Sequence, residues 1–303
     1  MDPRPPLGRV GVWLLASRPR TLPAAATPVI VGSAVAGAMG GFRLGPALAA
    51  LAGALLIQVG TNFANDLFDY QKGADTPDRQ GPLRAVQAGW LSPSQVWGGI
   101  ALSFGAATAC GAYLAAVSGW PVIAIGLASL LAGLAYTGGP FPLAYNGLGD
   151  LFVLIFFGFV AVCGTVWVQA LRLSPLAWVA GATVGVLATA ILVVNNVRDV
   201  DDDRRAGKRT LPVLLGRGLG RVEYAGLLGL SYLLPALAFR TGIAPVGVLA
   251  TALTLPLAFR LVRVVGRSSD PLRLNRALAA TATLLLLHGL LFSGGLLATA
   301  AGP

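Results

Sequence analysis

Nine apolar segments, at about 23–40, 45–65, 94–117, 120–137, 148–170, 174–196, 222–240, 243–263 and 277–300, leave this 303-residue chain few folds to choose from. Each is close to the roughly 20 residues that an α-helix needs to cross the hydrocarbon core of a bilayer. A chain with 55% apolar and 11% charged residues and a mean hydropathy of +0.74 has the lipid bilayer, not water, as its main solvent. In lipid every backbone polar group must be satisfied internally, so the segments are expected to be helices. The expectation is an all-α, polytopic membrane protein of nine transmembrane helices, forming a single domain over residues 1–303.

Charge orients the bundle. If the N-terminus is cytoplasmic, inside loops hold Arg4, Arg9, Arg18, Arg20, Lys72, Arg79, Arg84, seven basic residues from Arg198 to Arg221 and five from Arg260 to Arg276. Outside loops hold only Arg43, Arg172 and Arg240, so 19 of the 22 basic residues obey the positive-inside rule. This distribution accounts for the net charge of +10 by anchoring to anionic lipid. Nucleic acid is not an expected partner, because no soluble basic surface or helix-turn-helix pattern is present. The first dozen residues contain Pro3, Pro5 and Pro6 and no signal-peptide h-region, so no cleavable signal is expected.

Acid is rare and concentrated. Of 12 acidic residues, eight fall in two stretches, Asp66, Asp69, Asp75 and Asp78, then Asp199, Asp201, Asp202 and Asp203. Each stretch begins at the end of an apolar segment, after Asn62 and Asn65 in one case and Asn195 and Asn196 in the other. A carboxylate beside lipid costs roughly 2.5–3.5 kcal/mol on insertion scales, so a water-accessible functional site is the default reading. Within a helix, Asp66 and Asp69 share a face, as do Asp199 and Asp203. Like charges one turn apart destabilise a helix unless a cation intervenes, and oxygen-rich clusters suit Mg²⁺. Asp201 and Asp202 have arginines beside them and can serve as ordinary paired or solvated acids.

Basic residues follow each cluster: Lys72, Arg79 and Arg84 after the first, Lys208 and Arg209 after the second. Carboxylates for the metal and cations for oxygens that the metal does not reach together make a cage for a diphosphate. The clusters occupy similar places, one after the second segment and one after the sixth. A four-span unit used twice, plus a ninth span, would keep both on the cytoplasmic face. Cys110 and Cys163 lie in apolar segments with no CxxC spacing and read as packing residues. His288, the only histidine, reads as an interhelical hydrogen-bond partner.

The run from Asn65 to Thr76 (NDLFDYQKGADT) and the run from Asn196 to Leu211 (NVRDVDDDRRAGKRTL) resemble the paired Asp motifs of the UbiA superfamily of intramembrane prenyltransferases. Gly81 to Gly89 (GPLRAVQAG), Arg18 to Pro23 (RPRTLP) and Tyr136 to Pro140 (YTGGP) look like the branch that uses 1,4-dihydroxy-2-naphthoate. Gly73 departs from the wider superfamily, which often has a third Asp there; Asp75, two residues on, is similar to the naphthoate branch.

The resemblance implies a helical bundle around a central cavity in the inner or plasma membrane, with its active site opening to the cytoplasm. It implies Mg²⁺-dependent transfer from a polyprenyl diphosphate to 1,4-dihydroxy-2-naphthoate, with loss of CO₂ and diphosphate, in menaquinone biosynthesis. Asp66, Asp69, Asp75, Asp199 and Asp203 would hold metal, and Arg20, Tyr136 and Tyr145 are candidates around the acceptor. A related enzyme with another acceptor or a phytyl donor is one alternative, and a membrane cation transporter is another. A CDP-alcohol phosphatidyltransferase is disfavoured, because its Asp-Gly…Ala-Arg pattern is missing.

Overall fold

The computed structural model describes residues 8–74 and 84–300, and among these helix is the only regular secondary structure. Helix α1 (Arg9–Ala16) is joined by a 3₁₀ turn at Pro19–Thr21 to α2 (Leu22–Ala38), followed by α3 (Leu44–Gln71), α4 (Pro93–Ser118) and α5 (Pro121–Ala135). Next come α6 (Gly149–Ala170) and α7 (Pro175–Arg198), then the short helices α8 (Val200–Arg205) and α9 (Leu211–Leu215). Helices α10 (Arg217–Arg240), α11 (Val246–Arg267) and α12 (Pro271–Ala300) complete the bundle. Among the described residues, eight helical segments are long and apolar enough to cross a membrane, α1 and α2 counting as one. The expected fourth segment, 120–137, is the shorter α5 of 15 residues.

Local chemistry sets the helix boundaries. Proline occupies the first position of α4, α5, α7 and α12, where its missing N–H is no loss. Ser92 caps α4 in a capping box with Gln95, and Ser174 caps α7 through the Ala177 N–H. At the far end of α4 the chain turns at Gly119, whose φ of 89° favours a residue without Cβ.

Helix α7 is the axis of the larger core. It is apolar on all sides, 78% of its most apolar window is buried, and it packs against α2, α6, α10 and α12. The Gly181/Gly185 pair lets α6 approach α7 closely: a Cβ on Gly158 would lie 2.8 Å from the Gly185 Cα. Around Gly158 the residues Leu154–Val160 form a π-helical stretch within α6. A second core joins α1, α3, α4 and residues 85–91. Leu102, Leu127, Leu131, Leu253 and Phe259 face outward, as expected of side chains bathed in lipid.

The two cysteines are free, in line with their reading as packing residues. His288 is 1% exposed, hydrogen-bonds the Ser231 backbone and meets the Tyr232 ring edge-on at 5.2 Å. Tyr224–Thr281 and Tyr232–Thr254 hydroxyl pairs add further ties among α10, α11 and α12.

Candidate active site

The C-terminal end of α3, the loop after α5 and the segment after α7 meet at one end of the bundle. Asp66 and Asp69, on the last turns of α3, are each only 2% exposed. Asp69 Oδ1 accepts a hydrogen bond from Tyr145 Oη at 2.7 Å, and its Oδ2 pairs with Arg84 Nη1 at 2.7 Å. Lys208 Nζ stands 3.6 Å from Asp69 and 3.6 Å from Asp203, so one ammonium joins the two acidic clusters. Lys72 Nζ donates to the Thr137 carbonyl at 2.6 Å and lies 4.6 Å from the centre of the Tyr145 ring, with Lys208 Nζ at 5.0 Å.

Asparagines and backbone brace this arrangement. Asn65 Oδ1 accepts from Thr137 Oγ1 at 2.8 Å, its carbonyl accepts from Arg84 Nη1 at 2.8 Å, and Tyr145 O accepts the Arg209 N–H at 2.9 Å. Asn62 Nδ2 donates to the Ser17 carbonyl at 2.9 Å and to Thr21 Oγ1 at 3.1 Å, which ties α3 to the turn before α2.

Asp66 and Asp199 stand behind this front. Asp66 Oδ2 accepts the Ala85 N–H at 3.1 Å, while its buried Oδ1 has no hydrogen-bond partner among the described residues. Asp199 is gripped by the neighbouring guanidinium, with Arg198 Nε and Nη2 each 2.6 Å from its oxygens. Arg198 also donates to Asn195 Oδ1 at 2.7 Å and Asn275 Oδ1 at 3.0 Å. A continuous helix through Asp199 and Asp203 is the simple expectation, but Asp199 is the joint between α7 and α8, with φ −95° and ψ 12°. The Asp203 N–H still bonds the Asp199 carbonyl at 2.7 Å, which keeps the two one turn apart. Asp201 makes an exposed pair with Arg217, worth little, and Asp202 pairs with the exposed guanidinium of Arg205.

A cavity of about 430 Å³ opens beside these groups. Its polar part is lined by Arg18, Asn62, Asn65, Asp69, Arg84, Tyr136, Asp150, Asn195, Asn196, Asp203 and Lys208. Its apolar part runs between α3, α4, α5 and α6 past Ala54, Ile57, Ala107, Gly111, Ile125 and Phe156. A mainly apolar cavity with a polar end suits an amphipathic molecule with a charged head and a hydrocarbon tail.

Arg20 and Arg209 are exposed and outside the cavity wall, so among neighbouring arginines it is Arg18 that lines it. Arg18 adopts a left-handed backbone, φ 52° and ψ 67°, immediately before Pro19. That conformation is costly for a non-glycine residue, and such strain clusters at functional sites. Asp75, Asp78 and Arg79 lie outside the described residues. Sequence reasoning passed over Asp150, a single acid at the head of α6 with no neighbouring motif. Its one signal was being an acid at the start of an apolar segment, outside both clusters.

Electrostatics separate the groups outside the spans. Burial pushes the Asp203 carboxyl up to about 6; Lys208 opposes that rise, and Asp199 and Asp69 reinforce it. Burial lowers Lys72 from its ordinary value, Asp69 opposes this, and Lys208 adds to it. Among the described residues no three acidic, histidine or cysteine side chains are gathered tightly enough to form a ready metal cluster. Arg84, Lys208 and Arg198 hold the carboxylates in ion pairs instead.

Residues 25–285 match the model of the UbiA prenyltransferase family. The chain is 37% identical over 296 residues to a 1,4-dihydroxy-2-naphthoate octaprenyltransferase of Escherichia coli, covering 96% of each chain. It is 36% identical over 285 residues to the Mycobacterium tuberculosis protein of the same description, covering 94% of this chain and 96% of that one. Its fold matches that of a UbiA homolog from Archaeoglobus fulgidus bound to DMAPP and Mg²⁺, with a TM-score of 0.67 and 17% identity. That match covers 93% of this chain and 99% of the other.

Proposed function

The chain belongs to the UbiA prenyltransferase family, and from that premise we propose that it transfers a polyprenyl group from polyprenyl diphosphate to 1,4-dihydroxy-2-naphthoate. CO₂ and diphosphate leave, and the product is the prenylated quinol that precedes menaquinone. One observation carries the reading: Lys208 bridges Asp69 and Asp203 at the polar end of an otherwise apolar cavity. The choice of acceptor is supported by similarity, end to end, with proteins described as naphthoate octaprenyltransferases.

The donor set fits Mg²⁺. It is all oxygen, and the buried Asp66 Oδ1 is unpaired among the described residues. Mg²⁺ asks for only one or two protein carboxylates when substrate phosphates complete its shell, so a ready three-carboxylate cluster is not required. Asp66, Asp69, Asp199 and Asp203 would hold it, with Asp75 a further candidate outside the described residues. Bound there, Mg²⁺ neutralises charge on the departing diphosphate.

The protein's own part follows from its geometry. Lys208, Lys72 and Arg84 supply positive charge where a diphosphate would lie, releasing their present carboxylate and carbonyl partners to reach it. Tyr145 holds Asp69 through its hydroxyl and faces both ammonium groups with its ring. The apolar part of the cavity takes the isoprenoid tail and keeps water from the allylic cation formed as the C–O bond breaks. Arg18, which lines the cavity, pairs with the acceptor carboxylate in this reading, in place of the exposed Arg20. The carboxylate-bearing ring carbon attacks the cation, and the C–CO₂ bond then breaks.

The whole chain acts as one catalytic domain in the plasma membrane, with its polar end at the cytoplasmic face. Purified protein incubated with Mg²⁺ and both substrates is expected to yield a prenylated quinol lighter than the sum of its organic parts by CO₂. Mass spectrometry that finds a prenylated product with its carboxylate retained would reject the reading.

A further inference from the structure

Among the described residues, Asp150 is the cavity-lining acid that belongs to neither cluster. It heads α6, and its Oδ1 is sealed from solvent and has no hydrogen-bond partner among the described residues. Among the described residues no Lys or Arg stands within ion-pair distance of it, in contrast to Asp69 and Asp203. The Tyr136 hydroxyl is close by, 3.2 Å from where a Cβ on Gly149 would sit. Thr189 of α7 reaches the Asp150 carbonyl, at 3.5 Å, and not its carboxylate. Phe152 and Phe156 continue the cavity wall along α6, their rings 5.8 Å apart.

A carboxylate oxygen sealed from water with no partner is costly, even when its own backbone N–H bonds the carboxylate, as here. In a cavity that receives a diphosphate and an aromatic carboxylate it is doubly so, because it repels both. A ligand group that donates a hydrogen bond to it offsets the cost. Of the two substrates, only the aromatic acceptor has donors to offer, its ring hydroxyls.

We propose that Asp150 is the catalytic base on the acceptor side: it accepts a hydrogen bond from the 1-hydroxyl of the dihydroxynaphthoate and takes that proton as the prenyl group is joined. This inference rests on the acceptor assigned above. The choice of hydroxyl follows from ring chemistry: the 1-hydroxyl is ortho to the carboxylate-bearing carbon and pushes electrons into it, while the 4-hydroxyl is meta. As the allylic C–O bond breaks and diphosphate leaves, the new C–C bond forms at C2. The 1-hydroxyl proton passes to Asp150, leaving a 1-ketone beside an sp³ carbon that carries both prenyl and carboxylate. That carboxylate is β to a ketone. Its C–C bond breaks with release of CO₂, the electron pair returns to the ring as an enolate, and Asp150 gives the proton back to oxygen. No net proton and no outside oxidant or reductant is needed.

The test is Asp150→Asn in the full-length protein, which keeps shape and removes charge and basicity. With dihydroxynaphthoate, a polyprenyl diphosphate and Mg²⁺, kcat for CO₂ release is expected to fall about 100-fold. The KM for the diphosphate should be unchanged or lower, since a repelling charge has gone, and the Mg²⁺ requirement should not move. A role confined to holding the fold would not spare donor binding in this way. A kcat within threefold of wild type overturns the proposal, and so does a raised Mg²⁺ requirement, which would group Asp150 with the metal ligands. If the variant does not fold, 4-hydroxy-2-naphthoate tested as an inhibitor of the wild type decides. Lacking the 1-hydroxyl, it is expected to bind about tenfold more weakly than the acceptor, and equal binding overturns the proposal. Wild-type protein that releases no CO₂ at all would instead refute the underlying assignment of the acceptor.

Discussion

At the scale of single residues, the site is organised by what each carboxylate touches. Lys208 holds Asp69 and Asp203 together by screening their mutual repulsion, so Lys208→Met leaves two acids facing each other and removes a cation from the diphosphate. Its expected effect is a drop in kcat/KM for the donor of about 10²-fold, in line with the loss of one charge-stabilising group, measured by steady-state kinetics at saturating acceptor. Arg18→Ala is expected to raise the KM for the acceptor about tenfold, the loss of one hydrogen bond to a charged group, while the exposed Arg20→Ala leaves it unchanged. Asp203 makes metal-free stability depend on pH. A carboxyl whose value is raised from 3.8 to about 6 by folding favours the folded state while protonated, and that favour is lost as pH rises through 6. Metal-free protein should therefore melt at lower temperature at pH 7.5 than at pH 5, and Asp203→Asn should flatten that part of the slope. Below pH 6, Mg²⁺ competes with this proton, so its apparent affinity should fall with each unit of acidification.

At the scale of elements, the crossing of α6 and α7 positions the cavity wall. A Cβ on Gly158 would meet the Gly181 carbonyl at 2.6 Å and the Gly185 Cα at 2.8 Å, backbone atoms that cannot swing aside. Gly158→Ala should cost about 1–3 kcal/mol, seen as a lower melting temperature in detergent, whereas Gly226→Ala, with open space around it, should cost nothing. Much at this scale was legible in the chain itself. Hydropathy marked the segments, and the two asparagine–aspartate runs marked which helix ends would meet. Spacing tells which face of a helix a residue occupies, but not its rotamer or its partner. That is why Asp199 looks free in the sequence and is clasped by Arg198 in the fold. For the same reason the sequence points to Arg20 and passes over Arg18, whose strained backbone no pattern announces. Asp150 was missed because its meaning comes from the cavity it faces, which belongs to several helices at once.

At the scale of the whole molecule, the bundle places charge at one end and hydrocarbon along its flank. The few basic residues outside that charged end predict a topology that labelling can check. A cysteine at Arg172, in a variant lacking Cys110 and Cys163, should react with a membrane-impermeant maleimide added to intact cells, and a cysteine at Arg205 should react only after lysis. The reverse pattern would put the site on the other face. The central claim is that the two acidic clusters act together as one Mg²⁺-dependent centre for decarboxylating prenyl transfer. Release of labelled CO₂ from carboxyl-labelled 1,4-dihydroxy-2-naphthoate, followed as Mg²⁺ is titrated, tests it most directly. CO₂ release that requires Mg²⁺ and a polyprenyl diphosphate, and is abolished by Asp69→Asn and by Asp203→Asn alike, is the expected result. Release that persists without Mg²⁺, or survives either substitution undiminished, would contradict it.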